Sequence, residues 1–370
     1  MTASNRRRQF AVQVARKLHD AGFTALWAGG CVRDWLLGRE PTDYDVATNA
    51  RPDEVRKIFG RRRTVPVGAS FGVMIVTAPH SEDNVEVATF RTEGPYLDGR
   101  RPESVQFCTP EEDAQRRDFT INGMFYDPLD EQVLDYVGGQ EDLKQRTVRA
   151  IGDARQRIVE DKLRMLRAVR IAAQLDFDIE PATAAAIVEM APEISVVSVE
   201  RIAHELARML AAPRRVRAIE SLRALKLLPE VLPELIPAFA EFEDAPSTES
   251  HWSKTLRMLE ALGAAEFELA FAGLLHEIPA TAPPVDPAEC LKTRAERNAH
   301  TVWGICRRLR LSNQQTERIC WLVRHRHHLL DAPHLPLHEL KRLLSEPYAG
   351  ELIALNRAEA VAAGEDLAAV

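Results

Sequence analysis

A pair of glycines, followed by a short basic segment and then by two aspartates, constrains this chain more than any other stretch. Gly29 and Gly30 lie between an apolar run over residues 25–28 and a predicted helix over 31–37. Glycine lets the backbone approach a ligand closely, and a helix that begins there turns unpaired N–H groups toward an anion. The pattern predicts a strand, a phosphate-binding turn and a helix, an arrangement suited to a triphosphate.

Two aspartates, Asp43 and Asp45, lie at the start of the next predicted strand, over residues 44–48, where Asp43 directly precedes the strand. Side chains two residues apart on a strand face the same side, so both carboxylates should project together while Tyr44 turns away. Such a pair can hold Mg²⁺ between a nucleotide and an attacking hydroxyl. Each pattern alone occurs in unrelated proteins, but their combination, with Arg33 one turn into the helix, is much rarer.

Composition limits the class of protein. The chain has 370 residues, which predicts two or three domains, and a net charge of −7, which argues against coating nucleic acid through its overall field. Binding to RNA would need local basic clusters, of which the candidates are Arg6-Arg7-Arg8, Arg61-Arg62-Arg63, and Arg214, Arg215 and Arg217. A solvated basic face is the simpler interpretation of each, and it is the favoured one for the first cluster.

The cysteines and the hydropathy pattern bear on location. The five cysteines show no metal-binding spacing and no disulfide framework. The N-terminus lacks the apolar core of a signal peptide, and no apolar run approaches the ~18 residues of a membrane span. We therefore expect a cytoplasmic protein with no membrane partner.

The predicted elements indicate an α+β chain. Strand and helix signals alternate as far as residue 150, with helices expected over 9–21 and 53–59 and strands over 73–77 and 85–91. Beyond residue 150 strand signals disappear, and proline-punctuated helical segments take over. Breaks are expected at 240–250 and 279–287.

These motifs resemble those of a known family. G-G-C-V-R-D and D-Y-D-V-A-T, at residues 29–34 and 43–48, are similar to motif A of the class II tRNA nucleotidyltransferases and bacterial poly(A) polymerases. The resemblance implies a polymerase-β-like nucleotidyltransferase α/β head over 1–150, a helical neck and body over 151–245, and a helical C-terminal region over 246–370. It also implies that Gly29, Gly30 and Arg33 bind the triphosphate and that Asp43 and Asp45 are catalytic and hold Mg²⁺.

Glu86 is the candidate third carboxylate. It lies in V-E-V-A-T-F-R, a predicted strand, where it could face the two aspartates and help to orient the attacking hydroxyl as a base or a metal ligand. The residues alone leave this role and that of a glutamate at a strand edge equally open. The resemblance favours the catalytic role, because the family places its acidic residue in this motif.

A second basic motif follows at Q-R-R-D-F-T-I-N-G, residues 115–123, which resembles motif B with Gly123 in place of alanine. Adjacent arginines suit phosphate oxygens, since the planar guanidinium can donate two hydrogen bonds at once. A surface ion-pair cluster is the alternative. The resemblance implies that Arg117 contacts the nucleotide while Asp118 and Asn122 support the site near the sugar.

The segment E-D-K-L-R-M-L-R-A-V-R, residues 160–170, carries arginines at every third position. An ordinary solvated helix with ion pairs three apart would give the same pattern. The segment resembles motif D, which reads the incoming base, and this implies nucleotide-binding roles for Asp161, Arg164, Arg167 and Arg170. Residues 199–206 resemble motif E, whose expected role is to stabilise the neck.

The C-terminal region resembles family members that carry an HD-type phosphohydrolase domain, but the metal-binding residues are altered. His276 is followed by Glu277 where such domains have Asp, and residues 293–298 offer Arg and Glu where they have His. His251 is retained. We therefore expect a degenerate HD-like region with a structural role and no catalytic metal.

The resemblance implies a template-independent enzyme that adds or repairs the 3′ CCA of tRNA from CTP and ATP, with the helical regions holding the acceptor arm. The polar loop over 92–104 is similar to the flexible loop of enzymes that also add the terminal adenosine. An A-adding specialist with a CC-adding partner stays open. Residues 68–73 lack the basic run of poly(A) polymerases, which makes that activity less favoured. A metal phosphohydrolase and a non-catalytic RNA-binding relative are alternatives of other classes.

Overall fold

The computed structural model describes residues 3–68, 72–79, 83–94, 105–244, 250–278, 291–329 and 335–364. The chain divides into two compact units. The first comprises Met1–Arg164 with Phe177–Ala186, and the second comprises Met165–Asp176 with Ile187–Val370. Residues 95–104 of the expected loop, residues 69–71, residues 245–249 of the expected linker and the proline-rich break over 279–287 fall outside the described residues.

The described part of the first unit contains a mixed sheet of seven strands. Its strands, in spatial order, are β3 (Thr64–Gly68), β4 (Val73–Thr77), β5 (Asn84–Thr89), β2 (Asp45–Thr48), β1 (Ala25–Ala28), β8 (Phe125–Asp127) and β9 (Gln132–Leu134). Only the central pair β2 and β5 is parallel; the other neighbours are antiparallel. The short strands β6 (Arg91–Glu93) and β7 (Val105–Phe107) pair separately, as do β10 (Thr147–Val148) and β11 (Asp178–Ile179).

Short helices accompany these strands. They are α1 (Ala3–Asp20), α2 (Gly30–Leu36), α3 (Pro52–Phe59), α4 (Pro110–Gln115), α5 (Gly139–Lys144) and α6 (Ala154–Glu160). Their limits follow local chemistry: α4 begins at a capping box of Thr109 and Glu112 with proline in the first turn, and Gly60, with φ +83°, ends α3. The alternating α/β pattern predicted for this half of the chain is confirmed, with α1 starting earlier than expected.

From residue 164 onward the described chain is almost entirely helical. The helices are α7 (Arg164–Leu175), α8 (Pro181–Met190), α9 (Val199–Leu210), α10 (Arg215–Ala224), α11 (Leu228–Val231), α12 (Ile236–Asp244), α13 (His251–Ala261), α14 (Phe267–Leu274), α15 (Leu291–Arg308), α16 (Asn313–His325), α17 (Leu337–Leu344) and α18 (Ala349–Ala363). The prediction of no strand after residue 150 is wrong at β11. None of the helices in the described ranges is long and apolar enough to cross a bilayer.

One of the basic clusters proposed as an RNA-binding patch has a structural role instead. Arg215 is buried and donates to the carbonyl oxygens of Leu210, Leu259 and Gly263 at 2.8, 3.1 and 2.7 Å. Carbonyl groups at helix ends lack partners within the helix, and a guanidinium can serve several at once. Its neighbour Arg217 pairs with Asp176. Arg215 is thus committed to the end of α9 and the end of α13.

A buried ion pair joins α7 to α9 in the second unit. Arg170 Nε donates to Glu205 Oε2 at 2.6 Å, and Arg170 Nη1 donates to Gln174 Oε1 at 3.0 Å. Both charged side chains are buried, and burial lowers the pKa of Arg170 despite the attraction of Glu205. The pair links the segment that resembles motif D to the one that resembles motif E.

Removing one partner of this pair should destabilise the second unit strongly. Glu205→Gln leaves the Arg170 guanidinium buried without a counter-charge, which typically costs about 3–5 kcal/mol. Glu200→Gln is the matched control, because Glu200 lies on the same helix in an exposed pair with Arg310, worth about 0.5 kcal/mol. Calorimetric unfolding should show a much larger loss of stability for Glu205→Gln. Equal losses would contradict the structural role.

Candidate active site

The candidate site lies on one face of the central strands of the first unit. Ala28 of β1 pairs with Asp45 of β2, and Asp45 pairs in parallel register with Glu86 of β5. Residues that pair in register across neighbouring strands point to the same face. Asp45 and Glu86 are therefore side by side, and both side chains are exposed.

Asp43 lies just before β2 and is also exposed, while Tyr44 between the two aspartates is buried. The Tyr44 ring packs against Trp27 of β1, with centroids 4.7 Å apart. This contact fixes the orientation of the segment, since turning an aromatic ring inward forces the residues on either side outward. The predicted alternation is confirmed.

The pKa values of Asp45 and Glu86 are both raised in this cluster. The pKa of Asp45 is raised to about 7, first by desolvation and then by repulsion from Glu86 and Asp43, against a smaller attraction from Arg117. Desolvation by the surrounding protein has the largest effect on the pKa of Asp45, even though solvent still reaches the side chain. Desolvation also raises the pKa of Glu86, to which Asp43 contributes repulsion. The cluster is a site of concentrated negative charge that favours either a proton or a cation.

The diglycine turn adopts a conformation that other residues would resist. Gly29 has φ +77°, and the helix α2 begins directly after it. Cys31, the second residue of α2, is buried and donates from its thiol to the carbonyl oxygen of Ala28 at 3.2 Å. Burial raises the pKa of Cys31 to about 12, so it stays neutral and holds the start of α2 against β1.

Two guanidinium groups lie over the two glycines. A Cβ atom on Gly29 would lie 3.4 Å from Arg117 Nη1, and one on Gly30 would lie 3.5 Å from Arg33 Nη2. Arg117 also stacks over Phe125, with its Cζ 4.8 Å from the ring centroid. Because glycine has no side chain, the two guanidinium groups can approach the backbone of the turn and cover it.

Asp113 orients Arg117, and sequence reasoning missed it. Its Oδ2 accepts from Arg117 Nε and Nη2 at 3.1 and 2.9 Å, and its Oδ1 accepts from Arg116 Nε at 2.8 Å. The carboxylate is buried; burial acts to raise its pKa, but Arg117 and Arg116 outweigh that effect and lower it. The signal available was its position three and four residues before the two arginines, one helical turn away.

A chain of hydrogen bonds holds the second arginine. Arg33 Nη1 donates to Asn122 Oδ1 at 2.8 Å, and Asn122 Nδ2 donates to Asp118 Oδ1 at 3.1 Å. Asp34 provides a second anchor, accepting from Arg33 Nε at 2.9 Å. Asp118 and Asn122 are buried. These contacts join the motif around the diglycine turn to the one at 115–123.

Asp161 lies in the connection between two helices, three residues before the second of them begins at Arg164. Helix α6 ends at Glu160 and α7 begins at Arg164. Asp161 Oδ1 accepts from the Leu163 N–H at 3.1 Å. Arg164 is buried, pairs with Glu160 at 2.6 Å, and donates from Nη2 to the carbonyl oxygen of Arg116 at 3.1 Å. Arg164 is thereby tied to the residue next to Arg117.

The other two predicted nucleotide-binding arginines, Arg167 and Arg170, belong to the second unit. Arg170 is buried against Glu205, as described above, and Arg167 is half-buried. A direct contact of either with the nucleotide stays a prediction. The contacts of Arg170 favour a supporting role in α7.

The segment expected to be HD-like carries two guanidinium groups beside the carboxylate of Glu277. Glu277 pairs with Arg294 at 2.6 Å and with the buried Arg326 at 3.6 Å. His276 is also buried, donates from Nδ1 to the Gly273 carbonyl oxygen at 2.8 Å, and has its pKa lowered to about 3, first by burial and then by Arg326. Two guanidinium groups beside one carboxylate disfavour a divalent cation there.

The donor set of the first unit fits a divalent cation bound jointly with phosphates. In the part of the chain that the structure describes, no three or more His, Cys, Asp or Glu side chains are arranged to hold a metal ion by themselves. Magnesium sites in nucleotide enzymes commonly use one or two carboxylates and complete the shell with phosphate oxygens and water. Asp43 and Asp45 supply hard oxygen ligands of that kind, and their repulsion would be relieved by a cation.

Comparisons with known proteins find matches in both the α/β part and the helical part of the chain. Residues 25–149 match the family described as the poly(A) polymerase head domain, and residues 176–239 match a probable RNA- and SrmB-binding site of polymerase A, together just over half of the chain. The chain is 44% identical to a CCA-adding enzyme of Geobacillus thermodenitrificans over 237 residues, which cover 63% of this chain and 55% of that protein. It is 43% identical to the Bacillus subtilis CCA-adding enzyme over 222 residues, covering 60% and 55%.

Solved structures extend the similarity to nearly the whole chain. The CCA-adding enzyme of Bacillus stearothermophilus in complex with CTP covers 97% of this chain with a TM-score of 0.70 and 28% identity, and 78% of that chain is covered. The Thermotoga maritima CCA-adding enzyme in complex with tRNA matches 95% of this chain, and the match covers 78% of that protein. Its TM-score is 0.64 and its sequence identity 19%, a similarity that supports the fold alone. This chain spans about half the length of the curated relatives it matches.

Proposed function

The chain belongs to the class II family of CCA-adding enzymes and bacterial poly(A) polymerases, and from that membership we propose that it adds nucleotides to the 3′ end of tRNA without a template. The proposed reaction completes or repairs the terminal CCA from CTP and ATP and releases pyrophosphate. One observation carries the proposal: the paired carboxylates of Asp45 and Glu86 stand in register beside a diglycine turn covered by Arg33 and Arg117. A triphosphate needs both a cationic surface and a site for its metal ion.

The two arginines are proposed to bind the triphosphate. Planar guanidinium groups donate paired hydrogen bonds to phosphate oxygens, and each is already held by a partner, Arg117 by Asp113 and Arg33 by Asn122. Preorganised donors do not have to be ordered when the ligand arrives, which preserves binding energy. Gly29 and Gly30 let both guanidinium groups lie close to the turn, so phosphates bound by the two arginines would lie beside it.

Family membership implies the use of a divalent metal ion, and we propose Mg²⁺ held by Asp43 and Asp45. Bound there, the cation would neutralise charge on the α-phosphate and lower the pKa of the attacking hydroxyl. Glu86 is proposed to accept a hydrogen bond from that hydroxyl or to share its proton, since its raised pKa makes it a stronger base than an ordinary carboxylate. Below about pH 7 a proton on Asp45 would compete with the cation.

Asp161 and Arg164 are proposed to select the base. Cytosine and adenine share an amino donor beside a ring-nitrogen acceptor, which suits a carboxylate and a guanidinium; uracil and guanine reverse the pattern. The hydrogen bond from Arg164 to the Arg116 carbonyl oxygen supports the proposal, because it ties the selecting pair to the segment that holds Arg117. Protein side chains would then replace a template.

The second unit is proposed to hold the tRNA acceptor arm. The cytoplasmic location expected from the cysteine content stays a prediction. Addition of the final adenosine, rather than only the cytidines, rests on the loop over 92–104, of which residues 95–104 lie outside the described residues.

The direct test offers the purified protein tRNA transcripts ending before CCA, after one C and after CC, each with one labelled nucleotide in the presence of Mg²⁺. We expect C on the first two ends and A on the third. Asp45→Asn, nearly equal in shape, should lose more than about 100-fold in rate, because several kcal/mol of charge stabilisation disappear. Asp53→Asn on exposed α3 is the control and should retain the wild-type rate.

The pattern of incorporation distinguishes the alternatives. Addition of A to the CC end alone would identify an A-adding specialist, and long adenosine tails on any RNA would identify a poly(A) polymerase. No incorporation on any end would overturn the proposal.

Asp113→Asn should weaken nucleotide binding more than turnover. The substitution keeps the volume of the side chain but removes the charge that fixes Arg117, so we expect the KM for CTP to rise about tenfold or more, the worth of a charge-assisted hydrogen bond. Glu111→Gln, an exposed change on the same helix, is the control. Steady-state kinetics with saturating tRNA make the comparison. An unchanged KM in a folded Asp113→Asn protein would contradict the proposal that Asp113 orients Arg117.

Asp161→Ala should narrow the preference for CTP and ATP over UTP and GTP. Each mismatched buried polar group costs ~1–3 kcal/mol, so loss of one should reduce discrimination by roughly tenfold or more. The measurement is the relative efficiency of incorporation of the four nucleotides on one tRNA, with Asp130→Ala in an exposed turn as the control. Discrimination equal to that of the wild type would refute base selection by Asp161.

A further inference from the structure

A groove lies between the helices α15 and α16 of the second unit. It encloses about 390 Å³, and the residues that line it include Trp303 and Arg307 from α15 and Glu317, Trp321 and Arg324 from α16. This volume is in the ~300–1,000 Å³ range of pockets that receive small ligands, and it is too small for a nucleic-acid duplex.

Helical spacing brings these side chains to the same groove. Trp303 and Arg307 are four residues apart and share a face of α15, as Glu317, Trp321 and Arg324 do on α16. The two helices follow each other after a four-residue connection, and their cysteines Cys306 and Cys320 are in contact beneath the groove. The groove is therefore built on a packed helical hairpin.

Its aromatic walls are unusually accessible. Trp303 is 50% exposed, although burying such a ring would normally be favourable. Its ring lies nearly parallel to that of His300, at 10° and 6.3 Å, and Arg307 Cζ is 5.8 Å from its centroid. On the opposite wall, Trp321 stacks on His325 with centroids 4.4 Å apart. The Trp321 indole is thus held in place by a second aromatic ring, while the Trp303 indole stays half exposed.

The charge of the groove suits a phosphate. Arg307 and Arg324 are exposed at its edges, against the single carboxylate of Glu317. Arg307 donates to Asn313 Oδ1 at 3.4 Å, a weak contact that positions the guanidinium at the end of the groove. The chain as a whole carries a charge of −7, so a local cationic excess here marks a specific surface and not a general property.

We propose that this groove binds one unpaired nucleotide of an RNA, with the base stacked against an indole and the phosphate paired with Arg307 or Arg324. Aromatic rings and arginines in this combination are what proteins use to bind single-stranded or looped RNA. The inference takes its RNA from the proposed function, under which the partner is tRNA. It assigns to the second unit a contact with an unpaired base rather than with the backbone alone.

The test measures the affinity of the full chain for a tRNA transcript by fluorescence anisotropy, separately from nucleotide addition. Trp303→Ala should weaken binding about tenfold or more, the usual effect of losing one stacked base, while Trp303→Phe should keep most of the affinity. Leu337→Ala, which removes an exposed side chain from α17, is the control. Of Arg307→Gln and Arg324→Gln, the one that removes the partner of the phosphate should reduce the slope of log affinity against log salt by about 0.7, in contrast to Arg342→Gln on α17.

Each outcome decides the matter. Unchanged tRNA affinity in a folded Trp303→Ala protein would overturn the inference while leaving nucleotide addition intact. If the same variant instead lost self-association in sedimentation, the groove would be a contact between copies of the chain. Trp303-dependent binding by a protein that adds no nucleotide would support the groove and count against the proposed function alone.

Discussion

Asp45 and Glu86 are held side by side on neighbouring parallel strands, with Asp43 close enough to add its charge. The pKa of Asp45 is raised first by desolvation and then by repulsion from Glu86 and Asp43, and both effects raise the free energy of the ionised site. The register of the sheet does not allow the carboxylates to separate. A bound cation relieves the repulsion between the carboxylates. The unfavourable free energy of that repulsion in the metal-free site therefore adds to the affinity for a metal ion.

The surrounding residues keep this arrangement in place. Tyr44, packed on Trp27, turns both aspartates outward, and the neutral buried thiol of Cys31 fixes the start of the helix beside them. Asp113 holds Arg117 where it attracts Asp45 and also covers the diglycine turn. The fold thereby places guanidinium groups over the diglycine turn and carboxylates on the neighbouring strands, the two kinds of charge that a metal–triphosphate complex requires.

Local patterns predicted the order of strands and helices in the first unit and the outward orientation of the two aspartates. The pairing of Glu86 with Asp45 could not be derived from periodicity, because strand neighbours are set by long-range packing and only the family resemblance pointed to it. Asp113 was missed because an acidic residue on a short helix has many roles. Arg215 was assigned to a surface patch, since sequence does not show which arginine will be buried against helix ends.

The ionisation of Asp45 tests the central claim most directly. Carbon-13 NMR of protein labelled at aspartate carboxyls would follow its titration, with the signal identified by its loss in Asp45→Asn. We expect a midpoint of about 7 without metal, a lower midpoint in Glu86→Gln because a repulsive charge is gone, and a further fall when Mg²⁺ is added, since the cation favours the ionised form. An ordinary midpoint near 4, unchanged by Mg²⁺ or by Glu86→Gln, would contradict the account.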